Sequence, residues 1–306
     1  MSVRIGIAPG NWQWRGGGAA YLRFVDACES NGWDSLWLSD RLVGERMSLE
    51  PVTALAVAAG RTTDLKFGTS VLALAIRNPA LLAKEVATVD FLSGGRFLPA
   101  VGLGGDDERE YEATGGRKSE RAGRTDEAIE VLRRLWTEEH VTHHGKYYHL
   151  TDVTITPKPV FTPYPPIWIG GRTAFAWERV ARSGDGWLAS QVTPADVTAG
   201  IAAIRQGCEQ SGRTIEDDHF GVMLSTYLTD SKTEAAERLA AGSLRPRPDA
   251  PLEQYSAAGD AALIQERIAQ YVQAGATKFV LRLLCREDEA EQQLELMAKQ
   301  VLSTIA

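Results

Sequence analysis

Short apolar segments alternate with longer amphipathic segments along nearly the whole chain. The apolar segments predict buried strands that begin near residues 3, 34, 66, 96, 167, 187, 220 and 277. The segments between them place apolar residues at helical spacing and predict helices at 20–31, 48–60, 79–92, 119–138, 173–183, 194–211, 232–241, 260–274 and 287–304. This alternation predicts a parallel α/β sheet, and eight strands favour closure into a (β/α)8 TIM barrel.

Two segments do not fit the repeat. Residues 141–150 are rich in β-branched and aromatic side chains and predict a hairpin, within an insertion around residues 140–165. Residues 242–259 contain three prolines and two glycines and predict a loop. With these additions, 306 residues suit a single barrel domain spanning 1–306.

Charge and cysteine content narrow the classes of partner. The net charge of −7 argues against nucleic acid or an anionic membrane, because either partner favours a basic face. The three cysteines are isolated, so a disulfide framework or a structural zinc site is not expected. No secretory leader pattern and no apolar run of about 18 residues occurs, so we expect a cytoplasmic protein without a membrane span.

In a (β/α)8 barrel the loops after the strands carry the active site. Here those loops are Pro9–Trp14, Ser39–Arg41, Thr69–Ala73, Gly102–Glu108, Gly170–Thr173, Gln191–Thr193 and the position of Arg282. A small-molecule substrate is therefore expected at this face. Several of the loops contain glycine, which either lets the backbone approach a ligand or only marks a turn.

The segment Gly170, Gly171, Arg172 and Thr173 is the best single anion site in the sequence. It follows a strand and opens a helix, where free N–H groups and the helix dipole favour phosphate. Arg172 adds positive charge, and Thr173 is a candidate N-cap.

The segment that begins at Gly102 is not a dinucleotide-binding fingerprint, because Asp107 stands where the third glycine belongs. Asp106, Asp107 and Glu108 are interpreted as proton-transfer groups or substrate contacts. A solvated acidic cap on the next helix remains an equally open interpretation.

Four histidines, His140, His143, His144 and His149, cluster on the predicted hairpin. Strand alternation directs them to opposite faces, and no carboxylate or thiol pattern accompanies them, so a polar surface hairpin is favoured over a metal site. Neither GxSxG nor HExxH occurs, which excludes the common hydrolase templates.

Several motifs occur in the order of one known family. They are Asn31-Gly-Trp-Asp-Ser-Leu-Trp-Leu-Ser-Asp, Phe67-Gly-Thr-Ser-Val-Leu, Asn78-Pro-Ala-Leu-Leu-Ala-Lys-Glu, Leu92-Ser-Gly-Gly-Arg, Arg124-Thr-Asp-Glu-Ala, Pro165-Pro-Ile-Trp-Ile-Gly-Gly and Gly184-Asp-Gly-Trp. Over nearly the whole length the chain resembles the luciferase-like monooxygenase superfamily, including its F420-dependent oxidoreductases.

The resemblance implies a flavin-like ring at the C-terminal face of the barrel. The cofactor phosphate is expected at Gly170–Thr173, and Gly104 and Gly105 are expected to contribute to cofactor binding. Family members often carry a non-prolyl cis peptide in the third strand, which falls at Ser70–Val71 here. Our hypothesis is that this segment supports the ring.

One departure from the family pattern affects the mechanism. Many relatives place a histidine after the second strand as acid or base, whereas this chain has Arg41 after Asp40. Arginine stays protonated near neutral pH, so Arg41 is expected to hold an anionic substrate or to stabilise the reduced cofactor. Asp40, Asp107 and Glu108 are then the candidates for proton transfer.

The leading functional hypothesis is hydride transfer between coenzyme F420 and a small organic substrate that stacks beneath Trp12 and Trp14. Those tryptophans are equally consistent with lid packing. Arg245 and Arg247 are candidates to meet the anionic tail of F420.

Three alternatives remain beside F420 chemistry. The first is an FMN-dependent monooxygenase that uses O2 and reduced flavin from a separate reductase; the second is a non-catalytic flavin-binding barrel. A flavin-free lyase is disfavoured, because Lys66 and Lys278 stand at strand starts. The helix at 79–92 is a candidate homodimer contact.

Overall fold

The computed structural model describes residues 2–242 and 246–305. Its contacts divide the chain into two compact units. The terminal unit consists of Met1–Trp37 and Gly170–Ala306, and the central unit is Leu38–Ile169. The assignment of a single domain stays a prediction.

The strands and helices follow the predicted order. The strands are β1 Arg4–Ala8, β2 Ser35–Leu38, β3 Lys66–Thr69, β4 Leu72–Ala73, β5 Phe97–Leu98, β6 Ala100–Gly102, β7 Val141–His144, β8 His149–Val153, β9 Trp168–Gly170, β10 Gly186–Ser190, β11 Phe220–Leu228, β12 Ser256–Gly259 and β13 Lys278–Leu283. The α-helices are α1 Gly17–Ser30, α2 Pro51–Arg61, α3 Pro79–Ser93, α4 Glu108–Glu112, α5 Arg121–Thr137, α6 Ala174–Ser183, α7 Pro194–Gln210, α8 Lys232–Gly242, α9 Ala261–Gln273, α10 Ala290–Met297 and α11 Ser303–Ile305.

The terminal unit contains a parallel sheet in the order β10-β11-β13-β1-β2, and β12 also pairs with β11. Ile7 of β1 lies opposite Leu281 on one side and Leu36 on the other, and all three side chains are fully buried. Strands that are apolar on both faces are typical of parallel sheets covered by helices. The buried side chains explain why these strands appear as continuous apolar runs.

The central unit contains two groups of parallel strands, β3 with β5 and β4-β6-β9. Between β3 and β4 the Ser70–Val71 peptide bond is cis, as expected from the family resemblance. The buried Thr69 hydroxyl donates to the Ala100 carbonyl at 2.7 Å and accepts from the Ala100 amide at 3.0 Å. A side chain thus supplies hydrogen bonds where these strands are short.

Helix α2 begins slightly later than the sequence suggested. Its first residue is Pro51, and the Glu50 carboxylate, not Ser48, caps it by accepting from the amides of Val52 and Thr53. Proline in the first turn is favourable because that position needs no amide donor. A glutamate cap is uncommon, which is why the serine drew the prediction.

The prediction of a loop over 242–259 is wrong at its end. Residues Ser256–Gly259 form β12, which pairs in parallel with β11, after a 3-10 turn at Leu252–Tyr255. This strand consists of small residues and follows several prolines, so its sequence contains no apolar run that would predict a strand. Ala257 is nevertheless fully buried. Strand pairing with β11 overrides this weak local propensity.

Candidate active site

Asp40, directly after β2, is buried and fully engaged. Its carboxylate accepts from Arg77 Nε at 2.9 Å, from Arg77 Nη2 at 2.8 Å and from the Ala73 amide at 3.0 Å. Only 3% of the Asp40 side chain is exposed. Burial lowers the pKa of Arg77, but the hydrogen bonds and charge of Asp40 raise it by more. Asp40 therefore joins the loop after β2 to the start of β4 within the central unit, and this role competes with proton transfer.

Arg41 is the next residue and is exposed. The loop that carries it is held by Glu110, whose buried carboxylate accepts from the Leu42 amide at 3.0 Å and from the Val43 amide at 3.5 Å. Arg41, Arg46 and Asp107 line the same cavity. The structure thus brings together two of the predicted catalytic residues, Arg41 and Asp107.

Ser70 and Val71 lie at the end of β3 and are half-buried. The Ser70 amide donates to the Leu38 carbonyl at 2.8 Å, whereas the buried Ser70 hydroxyl has no hydrogen-bond partner among the described residues. Val71 packs closely against the last residue of β6, because a Cβ added to Gly102 would stand 2.7 Å from Val71 Cγ2. A buried hydroxyl without a partner is costly, so the Ser70 hydroxyl is suited to a hydrogen bond with a bound ligand.

Gly104 and Gly105 differ in how strictly they require glycine. Gly104 has φ of +88°, and a Cβ there would stand 2.9 Å from the Tyr111 hydroxyl and 3.1 Å from Ala73 Cβ. At Gly105 the nearest atom to such a Cβ is Glu110 Oε2, at 3.4 Å. The Tyr111 hydroxyl lies 3.0 Å from the Leu103 carbonyl and 2.8 Å from the Gly105 carbonyl, so it fixes the loop.

Asp107 is the N-cap of α4. Its carboxylate accepts from the Arg109 amide at 3.1 Å and binds the Arg109 guanidinium in a bidentate manner at 2.9 and 2.6 Å. These side-chain hydrogen bonds lower the pKa of Asp107 to about 2. Asp107 therefore stays ionised at neutral pH, which favours the helix-cap interpretation over proton donation. Glu108 is exposed in the first turn of the same helix.

In the terminal unit, the predicted anion segment opens α6. The Thr173 hydroxyl accepts from the Ala176 amide at 3.4 Å and caps the helix. Gly171 has φ of +121°, and a Cβ there would stand 2.6 Å from Ala176 Cβ. Its carbonyl accepts from Trp187 Nε1 at 2.7 Å. The local backbone therefore requires glycine next to the helix N-terminus.

The two arginines named for this unit are already hydrogen-bonded. Arg172 donates to Gln191 Oε1 at 2.5 Å. Arg247 binds Asp249 at 2.6 Å and Asp196 at 2.5 Å, so its charge is matched by two carboxylates. An exposed oligoglutamate tail is therefore an unfavourable partner for Arg247. Arg245 lies outside the described residues.

Trp12 and Trp14 are mostly buried and pack edge to face with ring centroids 5.4 Å apart. Phe24 and Tyr21 extend this aromatic cluster, and Trp12 Nε1 donates to the Cys285 carbonyl at 2.8 Å. Both tryptophans also line a cavity of about 800 Å³ in the terminal unit. Their packing supports the lid interpretation, and the cavity keeps a substrate contact open.

The histidine-rich hairpin is formed by β7 and β8, which pair antiparallel. His143 is buried beside Glu127, with Nε2 3.3 Å from Oε1, and His140 Nδ1 lies 2.6 Å from Asp152. In the part of the chain that the structure describes, no group of three or more metal-binding side chains is assembled.

Within the same residues, no helix is both long enough and apolar enough to span a membrane.

Sequence reasoning did not identify Arg77, Glu110 or Arg46. Arg77 stands 37 positions after Asp40, and Glu110 contacts a residue 68 positions earlier. Such long-range partners leave no local periodicity. The acidic segment after Gly105 was the single clue in the sequence. It led to the prediction of Asp106, Asp107 and Glu108 as site residues, but Glu110 was not included.

The model of the luciferase-like monooxygenase family matches residues 4–287. The chain therefore belongs to this family. It is 32% identical over 199 residues to the F420-dependent glucose-6-phosphate dehydrogenase of Kineococcus radiotolerans, covering 62% of this chain and 58% of that protein. The chain thus matches less than two thirds of the length of this relative.

Solved structures confirm the fold. An F420-dependent secondary alcohol dehydrogenase, solved with an F420–acetone adduct, superposes with a TM-score of 0.82 at 21% identity and covers 99% of both chains. The oxygenating component of 3,6-diketocamphane monooxygenase from Pseudomonas putida, solved with FMN, gives a TM-score of 0.81 at 17% identity, with 100% of this chain and 99% of that chain covered. The fold class predicted from sequence, a (β/α)8 barrel, is correct.

Proposed function

We propose that this protein is an F420-dependent oxidoreductase that transfers hydride between the cofactor and a small organic substrate. The observation that carries the proposal is its sequence similarity to F420-dependent dehydrogenases, at about one third identity over some 200 residues. Bound F420 supplies a two-electron hydride donor or acceptor.

The residues present fit such a cofactor. In the central unit, the buried Ser70 hydroxyl has an unused donor and acceptor, and Gly104 leaves its loop backbone without a side chain. We propose that Ser70, Val71, Gly104 and Gly105 contact the ring. In the terminal unit, the N-terminus of α6 at Thr173 offers backbone N–H groups, and we propose that Gly170–Thr173 bind a cofactor phosphate.

Of the three acidic candidates for proton transfer, Glu108 is the one that we propose. Asp40 is bound by Arg77 in a bidentate manner, and Asp107 is bound by Arg109 in the same way. In each of these two carboxylates both oxygens are already held by guanidinium N–H groups, so neither is available to contact a reacting atom. The Glu108 side chain is exposed at the start of α4 and has no ion pair within the described ranges.

FMN-dependent monooxygenation is the second candidate, favoured by the fold likeness to an FMN-bound oxygenase. In that case Ser70, Gly104 and Gly170–Thr173 would serve FMN, and a separate reductase would supply reduced flavin. A homodimer is compatible with either activity and stays a prediction.

The cofactor that the protein takes up in a cell distinguishes these candidates. The full chain is produced in a host that makes both F420 and FMN, purified, and denatured, and the released molecule is identified by mass. Release of F420 is expected. Release of FMN without F420 would contradict the proposal and support the monooxygenase.

The residue assignments are tested in the same preparation. Ser70→Ala removes the unused hydroxyl, and Thr173→Ser keeps the helix cap while removing one methyl group. We expect Ser70→Ala to lower the amount of bound F420 per protein and Thr173→Ser to leave it unchanged. If wild type and Ser70→Ala contain the same amount of bound F420 per protein, Ser70 is not part of the cofactor site.

A further inference from the structure

A cavity of about 510 Å³ lies within the central unit, between the loop after β2 and the start of α4. Its lining is unusually rich in charge. The residues that line it are Arg41, Gly44, Glu45, Arg46, Asp107 and Arg109.

The charges in this cavity do not cancel. Asp107 is matched by the bidentate contact with Arg109. The other charged side chains of the lining are Glu45, Arg41 and Arg46, and the charge of Arg41 also helps to lower the pKa of Asp107. Neither of these two arginines makes a hydrogen bond or an ion pair with any residue that the structure describes. The cavity therefore has a net positive charge and two sets of unused N–H donors.

The loop that presents the two arginines is held in place. Glu110 accepts from the amides of Leu42 and Val43, which lie between Arg41 and Arg46 in sequence. The Arg41 side chain folds against Gly44, where an added Cβ would stand 3.4 Å from both Arg41 Cδ and Nη1. Because Gly44 has φ of +140°, a side chain there is also disfavoured by the backbone. Partial fixation lowers the entropy cost of binding.

We propose that Arg41 and Arg46 together bind an oxyanion, a carboxylate or a phosphate, in this cavity. Guanidinium groups present paired N–H donors that match both anions, and they stay protonated at every physiological pH. The anion belongs either to the substrate or to the acidic tail of the cofactor, and this assignment rests on the proposed function. The proposal that the cavity binds an oxyanion does not depend on the proposed function.

The binding step is tested with inorganic phosphate and the full chain by isothermal titration calorimetry. Wild type is compared with Arg41→Gln and Arg46→Gln, and with Arg117→Gln, which removes an exposed arginine that does not line the cavity. We expect saturable binding that weakens about fivefold in each cavity variant, the effect of one exposed charge pair, and is unchanged in Arg117→Gln.

Two results would overturn the proposal. One is the absence of saturable phosphate binding by folded wild-type protein. The other is an affinity in Arg41→Gln or Arg46→Gln equal to that of wild type. Both arginines are exposed, and circular dichroism of each variant shows whether it is folded. An Arg41→Lys variant keeps the charge without the paired donors, so it should bind phosphate with intermediate affinity.

The source of the anion is separated by comparing F420 with its tail-less deazaflavin chromophore. If Arg41→Gln weakens F420 and leaves the tail-less compound unchanged, the anion is the tail. If neither changes, the anion is part of the substrate. Phosphate binding that depends on both arginines, in a protein that binds neither deazaflavin, would refute the F420 proposal and leave the oxyanion site standing.

Discussion

Two loops of the central unit carry aspartates that each bind an arginine in a bidentate manner, yet the two pairs differ in burial. After β2, Asp40 and Arg77 are buried and join two distant parts of the unit. After β6, Asp107 is half-buried and Arg109 is exposed, and the two lie two residues apart. The comparison teaches that contact geometry alone does not assign a role. The buried pair holds the fold, whereas the pair after β6 caps a helix and lines a cavity.

The largest expected effect follows removal of the buried carboxylate. Asp40→Asn removes the negative charge that balances the largely buried Arg77 guanidinium, while Glu50 keeps its contact with Arg77 at 2.9 Å. We expect the free energy of unfolding in urea to fall by about 3 kcal/mol, as for other broken buried pairs.

The matched change in the pair after β6 is Asp107→Asn. Asparagine also caps helices, so we expect the unfolding midpoint of this variant to stay close to that of wild type. Equal losses in Asp40→Asn and Asp107→Asn would break the distinction between the two loops.

The second prediction concerns the backbone of the loop after β6. Gly104→Ala requires φ of +88° and places a Cβ 2.9 Å from the Tyr111 hydroxyl, so a loss of about 2 kcal/mol is expected. Gly105→Ala is the control, because its nearest contact is at 3.4 Å. Thermal unfolding of the two variants should differ clearly, and a Gly104→Ala variant as stable as Gly105→Ala would contradict the account.

The third prediction concerns Glu110, which links the two loops. Glu110→Ala removes the acceptor for the Leu42 and Val43 amides, at a cost of about 1 kcal/mol. Hydrogen exchange over residues 41–47 should then become faster. Glu110→Gln retains one oxygen acceptor, so the amide hydrogens of residues 41–47 should exchange more slowly in this variant than in Glu110→Ala. Unchanged exchange in Glu110→Ala would show that the loop is held by other contacts.

The smallest effect is a change in the titration of Asp107. Its pKa is about 2 in the folded protein, below its ordinary value of 3.8. The ion pair with Arg109 therefore stabilises the folded protein at pH values above 3.8. The contribution is lost as pH falls from about 4 through about 2. Carboxyl NMR of Arg109→Gln should show the Asp107 pKa raised toward 3.8, and no change in Arg117→Gln. The same low pKa in Arg109→Gln would rule out the arginine as its cause.

The sequence predicted features that depend on local pattern. The order of strands and helices and the cap at Thr173 were identified in this way, whereas the cis peptide at Ser70–Val71 was expected from the family resemblance. The partners that decide roles were not identifiable. Arg77 and Glu110 act on residues far away in sequence, and β12 is a strand because of its neighbour β11. These contacts arise only when the chain has folded.

The most direct test of the central claim is a parallel equilibrium titration of the purified protein with F420 and with FMN, each in oxidised and reduced form. The account predicts that F420 binds with a dissociation constant well below that of FMN, with a change in deazaflavin fluorescence. Tighter binding of FMN, accompanied by oxygen uptake when the flavin is reduced, would contradict it.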